Sequence, residues 1–217
     1  MTAAHKAGAS AAGPLASADA PQAAWQGSNY TDIAAGWTRW LLSIPLGVSP
    51  LADTETGINC ALNQSGPVWY LAAPGGVVYT RTCTLPAGKA LVMPLSSYIN
   101  DYPCADPTFQ PPPGQSLEDF LRAGASFVVD GTTSAVATLD NKPLRLRRVS
   151  TGSFSFTAAG SLNALDSCLT GSPQLGAIDG LFVFIDPPSP GTHTLQVSVS
   201  NQFFGATVGT ITLKVRK

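Results

Sequence analysis

The chain has 217 residues, of which 44% are hydrophobic and 12% charged, and its 12 Lys and Arg against 13 Asp and Glu leave a net charge of -1. A chain of this mass hides roughly 70% of its unfolded surface on folding, which excludes disorder of the whole. With no basic cluster beyond Arg145, Arg147 and Arg148, it lacks the cationic face that nucleic-acid phosphates demand, and no apolar run approaches the ~20 residues of a membrane-spanning helix.

Taken in chain order, residues 1–24 hold eleven alanines with Gly, Ser and Pro. That composition offers too little apolar area to offset ordering entropy and reads as a disordered arm, leaving 25–217 as one folded domain; an arm of this kind is also a route to homo-oligomerisation. The stretch lacks the uninterrupted apolar core of a signal peptide, so an exported form has its signal already removed. Next, Ser28 can cap a helix over 30–43, where Asp32 suits the positive end of the dipole and Ile33, Trp37, Trp40, Leu41 and Ile44 make one apolar face. Pro45, Gly47 and Pro50 stop it and begin an irregular passage to about Gly66. A second, short helix is signalled by Ser116 at the cap, Glu118 and Asp119 in the first turn, and Gly124 as terminator.

The rest reads as short strands at 68–72, 77–84, 90–95, 126–129, 135–139, 144–149, 153–157, 181–185, 192–200 and 207–215, separated by turn chemistry such as Asp130-Gly131. The last two alternate most cleanly: His193, Leu195, Val197 and Val199 against Thr194, Gln196 and Ser198, then Ile211, Leu213 and Val215 against Thr212 and Lys214. Ten such strands predict a mainly β protein, an antiparallel β-sandwich of jelly-roll or Ig-like type with the amphipathic helix and one further short helix.

Cys60, Cys83, Cys104 and Cys168 include no C-x-x-C pair, and the histidines are His5 and His193 alone, so no metal site of usual ligand spacing is expected. An even cysteine count in a charge-poor chain fits disulfides and an oxidising, extracellular or periplasmic compartment, with four buried thiols as the alternative. Of three pairings, Cys60 with Cys83 and Cys104 with Cys168 is favoured because the first pair flanks a predicted hairpin.

Cys60, Gln64-Ser65-Gly66-Pro67-Val68-Trp69 and Arg81-Thr82-Cys83-Thr84-Leu85-Pro86-Ala87-Gly88-Lys89, followed by Val129-Asp130-Gly131, Asp179-Gly180 and Pro190-Gly191-Thr192-His193, resemble a family of uncharacterised secreted bacterial proteins. The resemblance spans about 37–217. It implies a disulfide-bonded β-sandwich and export, and brings no activity with it. Thr192 stands where the family pattern has an acidic residue.

Chemistry is thinly signalled. There is no Gly-x-Ser-x-Gly elbow, phosphate loop or dinucleotide fingerprint, and no Asp-x-Asp-x-Asp-Gly loop for calcium, so neither a cofactor nor a catalytic residue is assigned. His193, on the apolar side of its strand, reads as a buried structural histidine with a depressed pKa. Asp130, Asp140 and Asp179 read as turn residues, Asp179 also as a network carboxylate. Trp69 and Tyr70, adjacent on a strand, point to opposite faces, which leaves one for display. With Gln64, Tyr98, Asp101 and Asp179 they form the candidate ligand site, an aromatic plate beside amides and carboxylates suited to a sugar ring. The reading is a secreted or cell-surface, non-catalytic binding or structural module, its partner a polysaccharide or other cell-surface component. The alternatives are a carbohydrate-active hydrolase or lyase using Asp or Glu, and a self-assembling coat or filament protein.

Overall fold

A computed structural model of the chain describes residues 24–53, 55–74 and 76–217; apart from Ala24, the predicted arm lies outside these residues. The described residues are mainly β, with two α-helices. In chain order the elements are β1 (Ala24–Trp25), β2 (Ser28–Asn29), α1 (Tyr30–Leu42), β3 (Val68–Tyr70), β4 (Val78–Pro86), β5 (Ala90–Tyr102), α2 (Leu117–Asp130), β6 (Thr132–Leu139), β7 (Lys142–Pro143), β8 (Leu146–Ser150), β9 (Phe154–Thr157), β10 (Pro173–Ile185), β11 (Gly191–Asn201) and β12 (Gly205–Arg216).

Besides the small β1–β2 ribbon, the strands form two five-stranded sheets. In the first the order is β3-β5-β10-β8, with β9 beside the other half of β10's edge; in the second it is β4-β12-β11-β6-β7. Their facing sides share one buried cluster: Trp69, Leu91, Met93, Val183 and Ile185 from the first meet Cys83, Leu85, Leu195, Val197, Ile211 and Leu213 from the second. The opposite side of the first sheet is covered by α1, whose Ile33, Trp37, Trp40 and Leu41 pack on Val92, Val149, Ile178 and Phe182. Trp37 donates its indole N–H to Leu71 O at 2.8 Å, so the ring is buried without stranding a donor. The residue preceding α1 in extended conformation is Asn29; Ser28 belongs to β2.

β5 and β10 are each 13 residues long and pair antiparallel from Leu91 to Tyr102 and from Leu175 to Ile185, with a bulge between Leu181 and Phe182. Only half of this pair faces the second sheet; α2 lies on the other half. Asn100 Nδ2 donates to Phe120 O at 3.4 Å, and a Cβ on Gly124 would collide with the Asn100 amide. Gly124 therefore permits close approach instead of ending the helix. The strand expected at 126–129 is helical, because Ser116 caps the first turn by accepting from Asp119 N–H and Leu121, Ala125 and Val129 repeat every four residues on the buried face. The β-branched pair Val128-Val129 is overridden by that face.

Two pairings are parallel, β3 with β5 and β4 with β12, against the all-antiparallel expectation. Both disulfides take the predicted pairing, Cys60–Cys83 and Cys104–Cys168. The first, with Arg81, fastens the irregular passage: the buried Arg81 guanidinium donates to Pro50 O and Ala72 O at 2.6 and 2.8 Å.

Candidate functional site

β3 accompanies β5 only from Ala90 to Val92, with one more bond from Leu71 N–H to Val92 O. From Met93 onward that edge of β5 has no strand beside it, and no backbone partner among the described residues. A cleft of about 490 Å³ opens along it, within the ~300–1,000 Å³ range of small-molecule pockets. One wall is α1, through Trp37, Leu41 and Leu42; the other is the end of the second sheet, through Val197, Val199 and Thr207; Leu51, Ala73, Pro74, Leu165 and Phe204 close the sides. The lining is apolar except for a few groups, chiefly Ser96, Ser97, Tyr98, Asn201 and Thr207. Tyr79 also borders the cleft. Its hydroxyl is buried and has no hydrogen-bond partner, and burial raises its pKa to about 12.

The Tyr98 end is acidic. Asp101 is 3% exposed and accepts from Gln174 Nε2 at 2.9 Å. Burial and then the charge of Asp166 push its carboxyl up to about 6. Asp166 follows the cleft-lining Leu165, and neither carboxylate has an ion-pair partner among the described residues. Tyr98 stacks on Phe204, ring centroids 6.3 Å apart, across this end of the cleft; burial and the two carboxylates raise its phenol.

The residues singled out from the sequence do not share one surface. Gln64 acts as a substitute strand: its side-chain amide accepts from Tyr70 N–H at 3.0 Å and donates to Tyr70 O at 2.7 Å, closing the open edge of β3. Trp69 is buried between the sheets and Tyr70 is half-buried beside Trp40 under α1. Neither is displayed, because the first sheet is covered on both sides. Asp179 lies mid-strand in β10 at 1% exposure, not in a turn, where Arg148 grips it (Nη2 to Oδ2 2.9 Å) and Ser126 Oγ lies 3.1 Å away. Asp130 is the last residue of α2 and also pairs with Arg148. Tyr98 lines the cleft, and Asp101 lies three residues further along β5. The cleft itself left no sequence signal, since a strand edge without a neighbour arises from the premature end of β3 and not from a motif.

His193 forms a second constellation. Its Nδ1 is 2.7 Å from Asp140 Oδ2 and its Nε2 is 3.5 Å from Ser189 Oγ, a Ser-His-Asp order in outline, but the same Nε2 is 2.8 Å from Ser189 O. Two acceptors on two ring nitrogens favour the doubly protonated imidazolium, and the Asp140 carboxylate followed by the Ser189 carbonyl raises the pKa. The predicted depressed pKa is thus reversed, and the side chain is partly rather than fully buried: His193 lies near the start of β11, where the Asp140-Asn141 turn, with φ of 49° and 63°, brings a carboxylate to it. An imidazolium bonded on both sides is not a general base, and the arrangement is a clamp between turns.

In comparisons with known proteins, no family and no curated protein matches the chain. A solved structure titled "Structure of PbICP-C in complex with falcipain-2" is similar at 13% identity, over 70% of this chain and all of that one, with a TM-score of 0.26, a likeness too slight to carry any argument. The two disulfides are consistent with an extracellular protein, and no described helix is long and apolar enough to cross a membrane.

Proposed function

We propose that the protein is an exported, non-catalytic binding module, a β-sandwich with α1 packed on its outer side, whose ligand enters the cleft along β5. The observation that carries this reading is the cleft itself: about 490 Å³ of apolar walls with a few polar groups at one strand edge, the composition typical of binding sites. An apolar ligand suits this lining better than a polysaccharide, because the aromatic plate that a sugar ring needs has its tryptophan in the core and its tyrosine under a helix. Hydrolysis by paired carboxylates draws less support, since Asp179 is committed to Arg148 and Asp140 to His193.

Titration with N-phenyl-1-naphthylamine, a dye that brightens in apolar sites, tests the reading. Saturable binding near one dye per chain is expected, with loss on Ala73→Trp, which fills the cleft from a half-buried side position. No saturable signal from the folded protein, or equal binding by the filled variant, overturns it.

A further inference from the structure

The unpaired edge of β5 distinguishes between ligands that the apolar walls alone do not. A hydrocarbon chain would satisfy the walls and leave the β5 peptide groups without partners, a costly state for buried backbone. An extended peptide satisfies both, because a strand laid along an open edge takes up the ladder while alternate side chains enter the groove. Val92 O still bonds Leu71 N–H, and Pro94, two residues on, has no N–H to offer. The ladder is therefore open beyond the bulge, over residues 95–100, about 20 Å of strand. Charge sets the end chemistry: Asp101 and Asp166 lie beside the Tyr98 end with no cation between them among the described residues.

We infer that the cleft takes an extended peptide segment with apolar alternate side chains and a Lys or Arg at the end nearest Asp166, added as a strand to residues 95–100 of β5. The inference rests on the cleft being the binding site. The peptide's backbone bonds β5, its apolar side chains face Leu41 on one wall and Val199 on the other, and its cation lies against the half-buried Asp166, since Asp101 is buried and engaged by Gln174. Tyr79, whose buried hydroxyl has no partner, borders the opposite end and offers a donor to a carbonyl there.

Selection of a displayed octapeptide library on the intact protein, with the Ala73→Trp variant as counter-selection, is the test. Enrichment of alternating Val, Ile or Leu with Lys or Arg at one end is expected. The winning peptide, labelled with fluorescein, should bind by anisotropy about tenfold or more weakly when alternate amides are N-methylated, and several-fold more weakly when Glu replaces its cation or Asp166→Asn is used. Failure to enrich any peptide, or indifference to both N-methylation and charge reversal, overturns the inference. If the naphthylamine dye still binds in that case, the cleft remains a ligand site and only the peptide assignment falls; if neither binds, both readings fall.

Discussion

Replacing Asp101 with Asn should stabilise the protein, and by an amount that depends on pH. The carboxyl is 3% exposed, and its pKa is about 6 in the fold, raised by burial and then by Asp166, against about 3.9 unfolded. Because the folded value is the higher one, the neutral acid's contribution is fully present below the unfolded pKa and is lost as pH rises through 6. Linkage at 1.36 kcal/mol per pKa unit puts that loss at about 1 kcal/mol by pH 4.5 and about 3 kcal/mol by pH 8. Asparagine cannot ionise, yet its carbonyl oxygen can accept the Gln174 bond, so the variant should escape the loss. Urea unfolding of both proteins from pH 4.5 to 8 measures the difference, with other groups cancelling between them. Curves that stay parallel, or a variant less stable than wild type at pH 8, would refute the claim that Asp101 is held in an ionisation-hostile site.

Arg148→Met should cost about 3–5 kcal/mol in denaturant unfolding, since it leaves Asp179 buried without its partner; Asp179→Asn should cost less, because Arg148 retains Asp130. Loss of Cys60–Cys83, which spans 23 residues, should cost about 3.4 kcal/mol, and loss of Cys104–Cys168, which spans 64, about 4.3, as read from the melting of Cys-to-Ser pairs. His193 carries a raised pKa, so its stabilisation is full below about 6.5 and fades as pH rises through the folded value. The stability advantage of wild type over His193→Gln should therefore shrink between pH 5.5 and 9, and an advantage that grows over that interval would contradict the clamp.

Local periodicity served well where one face of an element is wet. The alternation of Leu195, Val197 and Val199, and of Ile211, Leu213 and Val215, marks inward residues of the second sheet, whose other face lies open. It served poorly in the first sheet, because β10 is covered on both sides and carries Asp179 and Gly180 in mid-strand; a buried carboxylate and a glycine read locally as a turn. Gly180 is needed there because a Cβ would strike Ser97 and Ser96 O of β5 as well as Phe182, and the contacts with β5 lie in no sequence window around Gly180. The residues of the candidate site are dispersed for the same reason. Gln64 and Trp69 have the chemistry of ligand contacts, but the partners that engage them, the Tyr70 backbone and the opposing sheet, are set only by folding. Tyr98 does line the cleft, but the open strand edge that makes the cleft is set by how soon β3 ends.

The parallel pairing of β4 with β12 bears on how the protein reaches this state. Residues 78–86 find their ladder partner about 130 positions later, in 208–216, so the edge of β4 stays incomplete until β12 has been synthesised and docked. Such distant contacts slow folding, since the loop must close before the pairing repays it. β12 is also an interior strand, flanked by β4 and β11. A deletion of the last dozen residues would remove the middle of a sheet and expose two edges at once, whereas an extension after the exposed Lys217 would leave the ladder whole. A partially made chain is accordingly most prone to aggregate just before β12 emerges.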